Sequence, residues 1–274
     1  MMTISDQTKL LDGREMPVFG FGCYNSYGDE ITKAVATAIE IGYRYIDSAA
    51  RYGNEAEVGA ALKQFAGKRE DLFVLSKVWP TAYDAAEEAV VTSIKELGVE
   101  YLDAMLLHWP GTDEARRLRA YEVLLNLRER GLIRTVGVSN FQEDQIEVVR
   151  RQFGAYPAIN EMEVHPGYQQ NDLQDFCKER GIVRIAYSPI GRGRYQDNET
   201  IKSLSGKYGK TPSQVILRWH LQRGTVPIPK SGHAERIREN ADVFDFSLTE
   251  TEMEAMRGLE CNGHMGLDPL TFNG

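Results

Sequence analysis

Eight short apolar runs, rich in β-branched and aromatic residues, recur along the 274-residue chain with helix-like stretches between them. This alternation predicts a parallel sheet whose strands are joined by crossover helices. The runs are VFGFGCY from Val18, YRYIDSA from Tyr43, LFVLSKVW from Leu72, LDAMLLHW from Leu102, RTVGVSNF from Arg134, AINEMEV from Ala158, VRIAYSPI from Val183 and TVPIPKS from Thr225. Eight strands, with seven intervening helices and one following, favour closure into an α/β (β/α)8 TIM barrel over an open sheet. The length agrees with the roughly 250 residues such a barrel needs, so residues 1–274 read as one domain. In TKLLDGREMP, Asp12-Gly13 lies between short β-capable flanks. It predicts an N-terminal β-hairpin cap over the barrel's N-terminal mouth.

Two connecting segments read clearly as helices. From Asp84 to Leu97, Ala86, Val90, Ile94 and Leu97 fall at helical spacing before Gly98, a C-cap signal. From Arg116 to Arg130, Leu118, Tyr121, Leu124, Leu125 and Leu127 make a second apolar stripe, ended by Gly131. The strands, by contrast, end in polar groups: Asp47-Ser48, Ser76-Lys77, His108, Ser139-Asn140, Glu161 with Glu163, Tyr187-Ser188 and Lys230-Ser231. In a (β/α)8 barrel all C-terminal strand ends surround one mouth, where active sites lie, so these scattered groups are expected to converge.

Four of the converging residues carry chemistry: Asp47, Tyr52 just beyond that strand end, Lys77 at the next and His108 at the one after. A tyrosine hydroxyl is a reluctant acid at neutral pH, but a nearby ammonium stabilises its phenolate. Lys77 supplies that charge, Asp47 pairs with Lys77, and the His108 imidazole can hydrogen-bond a substrate oxygen. The set is suited to donating a proton during carbonyl reduction. A Schiff-base lyase on the same barrel, with Lys77 as nucleophile, is the enzymatic alternative, and a regulatory module that only binds a nucleotide is the non-enzymatic one.

Other chemistries find little support. GFGCYN from Gly20 and GRGRYQ from Gly191 lack the third glycine of a dinucleotide fingerprint, and there is no H-E-x-x-H, G-x-S-x-G or Walker A loop. The five histidines are too dispersed to predict a metal set, and His165, His220 and His233 read as packing or surface residues. A net charge of −8 argues against nucleic-acid binding. Within Arg184 to Arg238, however, eleven Lys/Arg stand against three Asp/Glu, which fits either a small anionic ligand or solvated helix faces. Cys23, Cys177 and Cys261 are odd in number and widely spaced, as expected of reduced structural thiols. The start, MMTISDQTKLL, lacks the features of a signal peptide and no apolar run approaches 18 residues. The expectation is a cytoplasmic protein with no membrane partner, working as a monomer.

The segments IDSAARYGNE, LSKVW, LLHWP, GVSNF, NEMEVHP, AYSPIG and IPKSGHAERIREN resemble those of the aldo-keto reductase superfamily. The tail FDFSLTETEMEAM resembles the bacterial branch that includes 2,5-diketo-D-gluconate reductases. The resemblance implies an NADPH-dependent reductase of small aldehydes, ketones or keto-sugars, with Asp47, Tyr52, Lys77 and His108 as a catalytic tetrad and Tyr52 as proton donor. It assigns Ser139, Asn140 and Glu161 to the nicotinamide carboxamide, Tyr187 to stacking on the nicotinamide ring and Ser188 to the pyrophosphate. Lys230, Ser231 and Arg236 fall around the 2′-phosphate, and Glu239 and Asn240 at the adenine. Tyr24, Trp79 and Trp109 follow strand ends and are expected to line the substrate pocket.

There are departures from the family pattern. Glu161 stands where the family usually has Gln, Gly232 where Val is common and Tyr121 where Trp is frequent. An ionised carboxylate at position 161 can only accept, so either carboxamide binding differs or Glu161 is protonated. The segment from Gly111 to Arg119 and the tail after Glu260 are short for pocket-shaping loops, which predicts an open pocket for small or polar substrates.

Overall fold

The computed structural model describes residues 2–269, 271 and 272. Its main sheet holds eight parallel strands in sequential order: β3 (Gly20–Gly22), β4 (Tyr45–Asp47), β5 (Phe73–Val78), β6 (Leu102–Leu107), β7 (Ile133–Ser139), β8 (Ile159–Glu163), β9 (Val183–Tyr187) and β10 (Val226–Pro227). Across the seam between first and last strand, the Gly22 amide donates to the Pro229 carbonyl at 3.2 Å, bringing the sheet to a nearly closed barrel. The last strand is shorter than its apolar run because Pro227 and Pro229 carry no N–H for a ladder. Glycine is required at the seam: a Cβ on Gly20 would lie 2.3 Å from the Tyr45 ring, and one on Gly22 would lie 2.9 Å from the Ile228 carbonyl oxygen.

Helices α1 (Gly28–Ile41), α2 (Glu55–Leu62), α3 (Ala86–Leu97), α4 (Glu114–Glu129), α5 (Glu143–Phe153) and α6 (Asn171–Glu179) each cross from one strand to the next. Between β9 and β10 there are two, α7 (Glu199–Tyr208) and α8 (Pro212–Gln222), where the sequence pattern predicts one. Asn198 caps α7 through its side chain, and Thr211 with Gln214 forms a capping box on α8 directly before Pro212. Two further helices, α9 (Ala234–Ala241) and α10 (Glu250–Arg257), follow the last strand. Gly98 takes φ 63° at the end of α3, as its position beyond the apolar stripe predicts.

The predicted hairpin is present as β1 (Gln7–Lys9) and β2 (Glu15–Pro17) around Gly13 at φ 85°. Leu10 and Met16 are buried in the same apolar cluster as Tyr45, Phe73, Ala104, Ala158, Val183 and Val226, the first residues of the barrel interior. Asp12 accepts a 2.6 Å bond from Thr135 at the base of β7, so the hairpin is a plug held by apolar packing and one polar anchor. Outward-facing residues such as Ile46, Val74, Met105, Val136 and Met162 join the larger core shared with the helices. The basic segment does not form one patch. Lys207 pairs with Glu252, Lys210 with Asp242 and Asp245, and Arg184 donates to backbone carbonyls of residues 223 and 224. All three cysteines are free thiols, and no described helix is long and apolar enough to cross a membrane.

Candidate active site

Strand alternation builds the mouth. The barrel interior takes Tyr45 from β4, Phe73 and Leu75 from β5, Ala104 and Leu106 from β6, Ile159 from β8, Val183 and Ile185 from β9, and Val226 and Ile228 at β10. Two residues further on, with the same parity, stand Asp47, Lys77, His108, Glu161, Tyr187 and Lys230. Ser139 joins them from β7 as the register partner of Glu161. Each chain thus lays an apolar floor and then one polar group above it. Ser76 has the opposite parity: it faces out and donates to Glu55 of α2 at 2.6 Å, so it does not join the mouth.

Lys77 is the centre of the cluster and is fully buried. Its ammonium lies 2.5 Å from Asp47 Oδ1, donates to the Ser48 carbonyl at 2.9 Å and lies 3.2 Å from Glu161 Oε2. The last contact is an ion pair by distance alone, without hydrogen-bond alignment. Tyr45 donates to the other oxygen of Asp47, fixing that carboxylate from below. Tyr52 ends a single 3-10 turn, Ala50–Tyr52, that follows β4, and its ring centroid lies 5.3 Å from the Lys77 nitrogen. The His108 ring is 5.7 Å from that of Tyr52 and 5.0 Å from Trp79, both edge-on, and its Nδ1 is buried with no hydrogen-bond partner among the described residues.

The electrostatics divide these groups by role. Burial alone would neutralise Lys77, but Asp47, joined by Glu161 once that carboxyl is ionised, outweighs it and holds the ammonium well above its ordinary range. That is opposite to the neutral amine a Schiff-base nucleophile needs. Burial, reinforced by the charges of Lys77 and Arg51, pushes His108 well below its usual range, so the imidazole is neutral at physiological pH. Burial also raises Tyr52, with Lys77 as the main opposing influence, and Glu161, once ionised, and Asp47 raise it further. A Tyr–Lys–Asp arrangement of this kind can keep a proton on the phenol and can stabilise the phenolate once that proton is given up.

Around the rim, Asn140 takes φ 64° just after β7 and Ser188 φ 48° just after β9, two non-glycine residues in the left-handed region on either side of β8. Asn140 donates to the His108 carbonyl and to Ser139 Oγ, and accepts from Tyr187 Oη at 2.9 Å. These bonds join Ser139, Asn140 and Tyr187 into one face beside Glu161. Lys230 reaches the Asn25 carbonyl at 3.1 Å and Glu30 at 3.8 Å, while Ser231 Oγ accepts from the His233 amide. Among the described residues no side chain caps α9, and Arg236, in its first turn, is exposed. Glu239 accepts from Thr211 Oγ1 at 2.8 Å, tying α9 to α8, and Asn240 is buried beside it.

Tyr24 is exposed and sits edge-on to Tyr52 at 5.1 Å, whereas Trp109 is buried. The mouth is less open than the short tail predicts. Glu163 accepts from the Met265 and Gly266 amides at 2.6 and 2.8 Å, and Phe272 packs on Trp109 at 4.9 Å and on Trp79 at 5.4 Å. His165 is structural: it bridges Glu163 and Tyr195 at 3.1 and 2.6 Å. His220 is likewise buried against the Pro189 carbonyl. Sequence reasoning passed over Arg51, whose guanidinium lies 5.1 Å over the Trp79 ring. Its place next to Tyr52 in the chain was the available signal.

Comparison with known proteins agrees with the fold described above. Residues 21–260 match the pattern of the aldo/keto reductase family. A glyoxal reductase from Bacillus subtilis is 41% identical over 270 residues, covering 97% of each chain. A methylglyoxal reductase from Yersinia pestis is 40% identical over 274 residues, covering 99% of each. Among solved structures, a Bombyx mori aldo-keto reductase in complex with NADP superposes with a TM-score of 0.89 at 34% identity, over 96% of this chain and 95% of that one.

Proposed function

Because the chain belongs to the aldo/keto reductase family, we propose that it reduces the carbonyl group of small aldehydes, ketones or keto-sugars to an alcohol, with NADPH as reductant and Tyr52 as proton donor. The observation that carries this reading is the buried Lys77 ammonium, held by Asp47 at 2.5 Å and facing the Tyr52 ring at 5.3 Å. Bound NADPH supplies the hydride that reaches the carbonyl carbon. Tyr52 gives its proton to the carbonyl oxygen, its O–H bond breaking to leave a phenolate that Lys77 stabilises. His108, kept neutral by burial, holds the carbonyl oxygen by hydrogen bonding without giving up a proton.

The chain's own residues fit this cofactor. Around the start of α9, an uncapped helix N-terminus, the exposed Arg236 and the Lys230 ammonium form an anion cradle suited to a 2′-phosphate. Ser139 and Asn140 offer a hydroxyl and an amide beside Tyr187, whose ring is half-buried at the mouth and available for stacking. Ser188, at the strand end after Tyr187, is left for the pyrophosphate, and Glu239 and Asn240 border the adenine end. Tyr24, beside Tyr52, and Trp79 and Trp109, both packed on Phe272, supply aromatic walls for the substrate in this reading. Such walls suit short carbonyl compounds, and the glyoxal and methylglyoxal reductases among its relatives put α-dicarbonyls first for trial. The test is multiple-turnover NADPH oxidation, followed by absorbance, over a panel of α-dicarbonyls, simple aldehydes, ketones and keto-sugars. Turnover on members of the panel supports the reading, and its absence on all of them contradicts it.

A further inference from the structure

We propose that Glu161 is carried as a neutral carboxylic acid, and that as a positioning residue its ionisation sets the alkaline limit of the reaction by weakening the proton transfer from Tyr52. The pH-rate part of this inference rests on the reductase reading above, whereas the protonation state itself does not. Its basis is a mismatch of charge in a closed space. Asp47, Lys77 and Glu161 are all buried, so the cluster holds two carboxyl groups and one ammonium with no solvent to balance them. Asp47 takes the closer, aligned bond at 2.5 Å and a second bond from Tyr45. Toward Lys77, Glu161 takes the longer contact, 3.2 Å, and among the described residues its Oε2 has no aligned hydrogen bond; its carboxyl also faces that of Asp47. Of the two acids, Glu161 is the one with less to lose by keeping its proton.

The groups that face Glu161 all push the same way or are already committed. From β4 come Asp47 and the Tyr45 phenol, from the turn beyond it Tyr52, from β5 Lys77 and from β9 Tyr187. β7 contributes Ser139 and the position after it Asn140, neither of which is charged, and the Asn140 backbone amide donates to the Glu161 backbone carbonyl. Lys77 is the single cation of the set and is shared. Burial first, and the charge of Asp47 next, lift the Glu161 carboxyl to about 8 against the pull of Lys77.

The consequence for chemistry follows from net charge. With Glu161 neutral, Asp47 and Lys77 cancel, and a phenolate on Tyr52 meets an ammonium that still has attraction to give. With Glu161 ionised, the cluster already carries one net negative charge, and the phenolate adds a second in the same buried space. Proton donation by Tyr52 is therefore favoured while Glu161 is protonated. The Glu161 proton is a spectator: it stays on the carboxyl while the Tyr52 proton moves to the substrate. A neutral carboxyl also keeps one donor and one acceptor, the pair that a glutamine amide would offer at this position.

The experiment compares wild type with Glu161→Gln by two independent readouts. In the pH profile of carbonyl reduction, the wild-type rate should fall with rising pH near 8, whereas the variant's alkaline limb should move upward. The ratio of the rate at about pH 9.5 to that at about pH 6 should rise roughly tenfold or more in the variant. The second readout needs no turnover. Between the ordinary glutamate range and about 8, only the folded wild type holds this proton, so wild-type stability falls with pH through that window and the variant is spared. The melting temperature of the variant minus that of wild type should grow by about 5 °C or more between about pH 5 and about pH 8. Should the variant fail to fold, infrared spectra of wild type with isotope-labelled glutamate take its place. The proposal expects a protonated-carboxyl band that persists at neutral pH and disappears as pH passes about 8. A melting difference that does not change with pH, an unmoved alkaline limb, or the absence of that band at neutral pH would each overturn it. Loss of turnover on every carbonyl would instead strike the reductase reading and leave the melting and infrared results standing.

Discussion

Lys77 Nζ lies 2.5 Å from Asp47 Oδ1, with both side chains shielded from solvent by the barrel floor and the turn that carries Tyr52. Removing one member of a buried ion pair typically costs about 3–5 kcal/mol, because the remaining charge is left uncompensated. Lys77→Met is therefore expected to lower stability and turnover together, since Asp47 loses its partner and the Tyr52 phenolate its stabilising charge. The pH profile of any remaining activity should shift as well. Thermal melts and pH-rate curves of the variant check this, and a wild-type profile in the variant would assign Lys77 another task.

Cofactor selectivity is expected to reside at the start of α9. Lys230→Met and Arg236→Ala should each weaken NADPH binding by about 1.5–3 kcal/mol, the value of a charge-assisted hydrogen bond, and leave NADH nearly unaffected. The ratio of the two affinities should then fall by about tenfold or more. Dissociation constants for both cofactors at fixed ionic strength provide the check. Equal losses for the two would mean these residues serve the fold or the shared pyrophosphate.

Glu163 holds the tail over the mouth by accepting the Met265 and Gly266 amides. Burial works against its charge, but the bonds from His165 and these two amides prevail and hold the carboxyl below its usual range. The latch therefore persists through the ordinary glutamate range and is lost only as pH falls through that lowered value. Glu163→Gln removes the charge from both bonds, and limited proteolysis within residues 261–272 should accelerate by roughly tenfold. An unchanged rate of cleavage would mean that Phe272 and its tryptophan contacts hold the tail unaided.

The barrel was legible because its signals are local and repeated. Seven of the eight apolar runs end in polar residues, and the alternation that buries Leu75 also aims Lys77 into the mouth. The hairpin was legible from Asp12-Gly13, and the α3 terminus from Gly98. Ser76 was misread as a mouth residue because a strand-end position does not state parity; only the position of Glu55 on α2 shows that it faces outward. The tail's reach was hidden for a different reason. Glu163 meets Met265 a hundred residues away in sequence, and nothing local to either announces the pairing. The excess of basic residues after Arg184 was likewise ambiguous until their partners, scattered over α10 and the loops, were known.

The central claim is that Tyr52 gives the proton, and Tyr52→Phe tests it most directly because the ring contacts with Tyr24 and His108 survive while the hydroxyl is lost. The measurement is turnover of a reactive carbonyl with saturating NADPH, taken beside the NADPH dissociation constant of the same preparation. The account predicts a fall in turnover of about 100-fold or more, the usual cost of losing a general acid, with NADPH affinity essentially unchanged. Near-normal turnover at unchanged NADPH affinity would contradict it and move proton donation to another group.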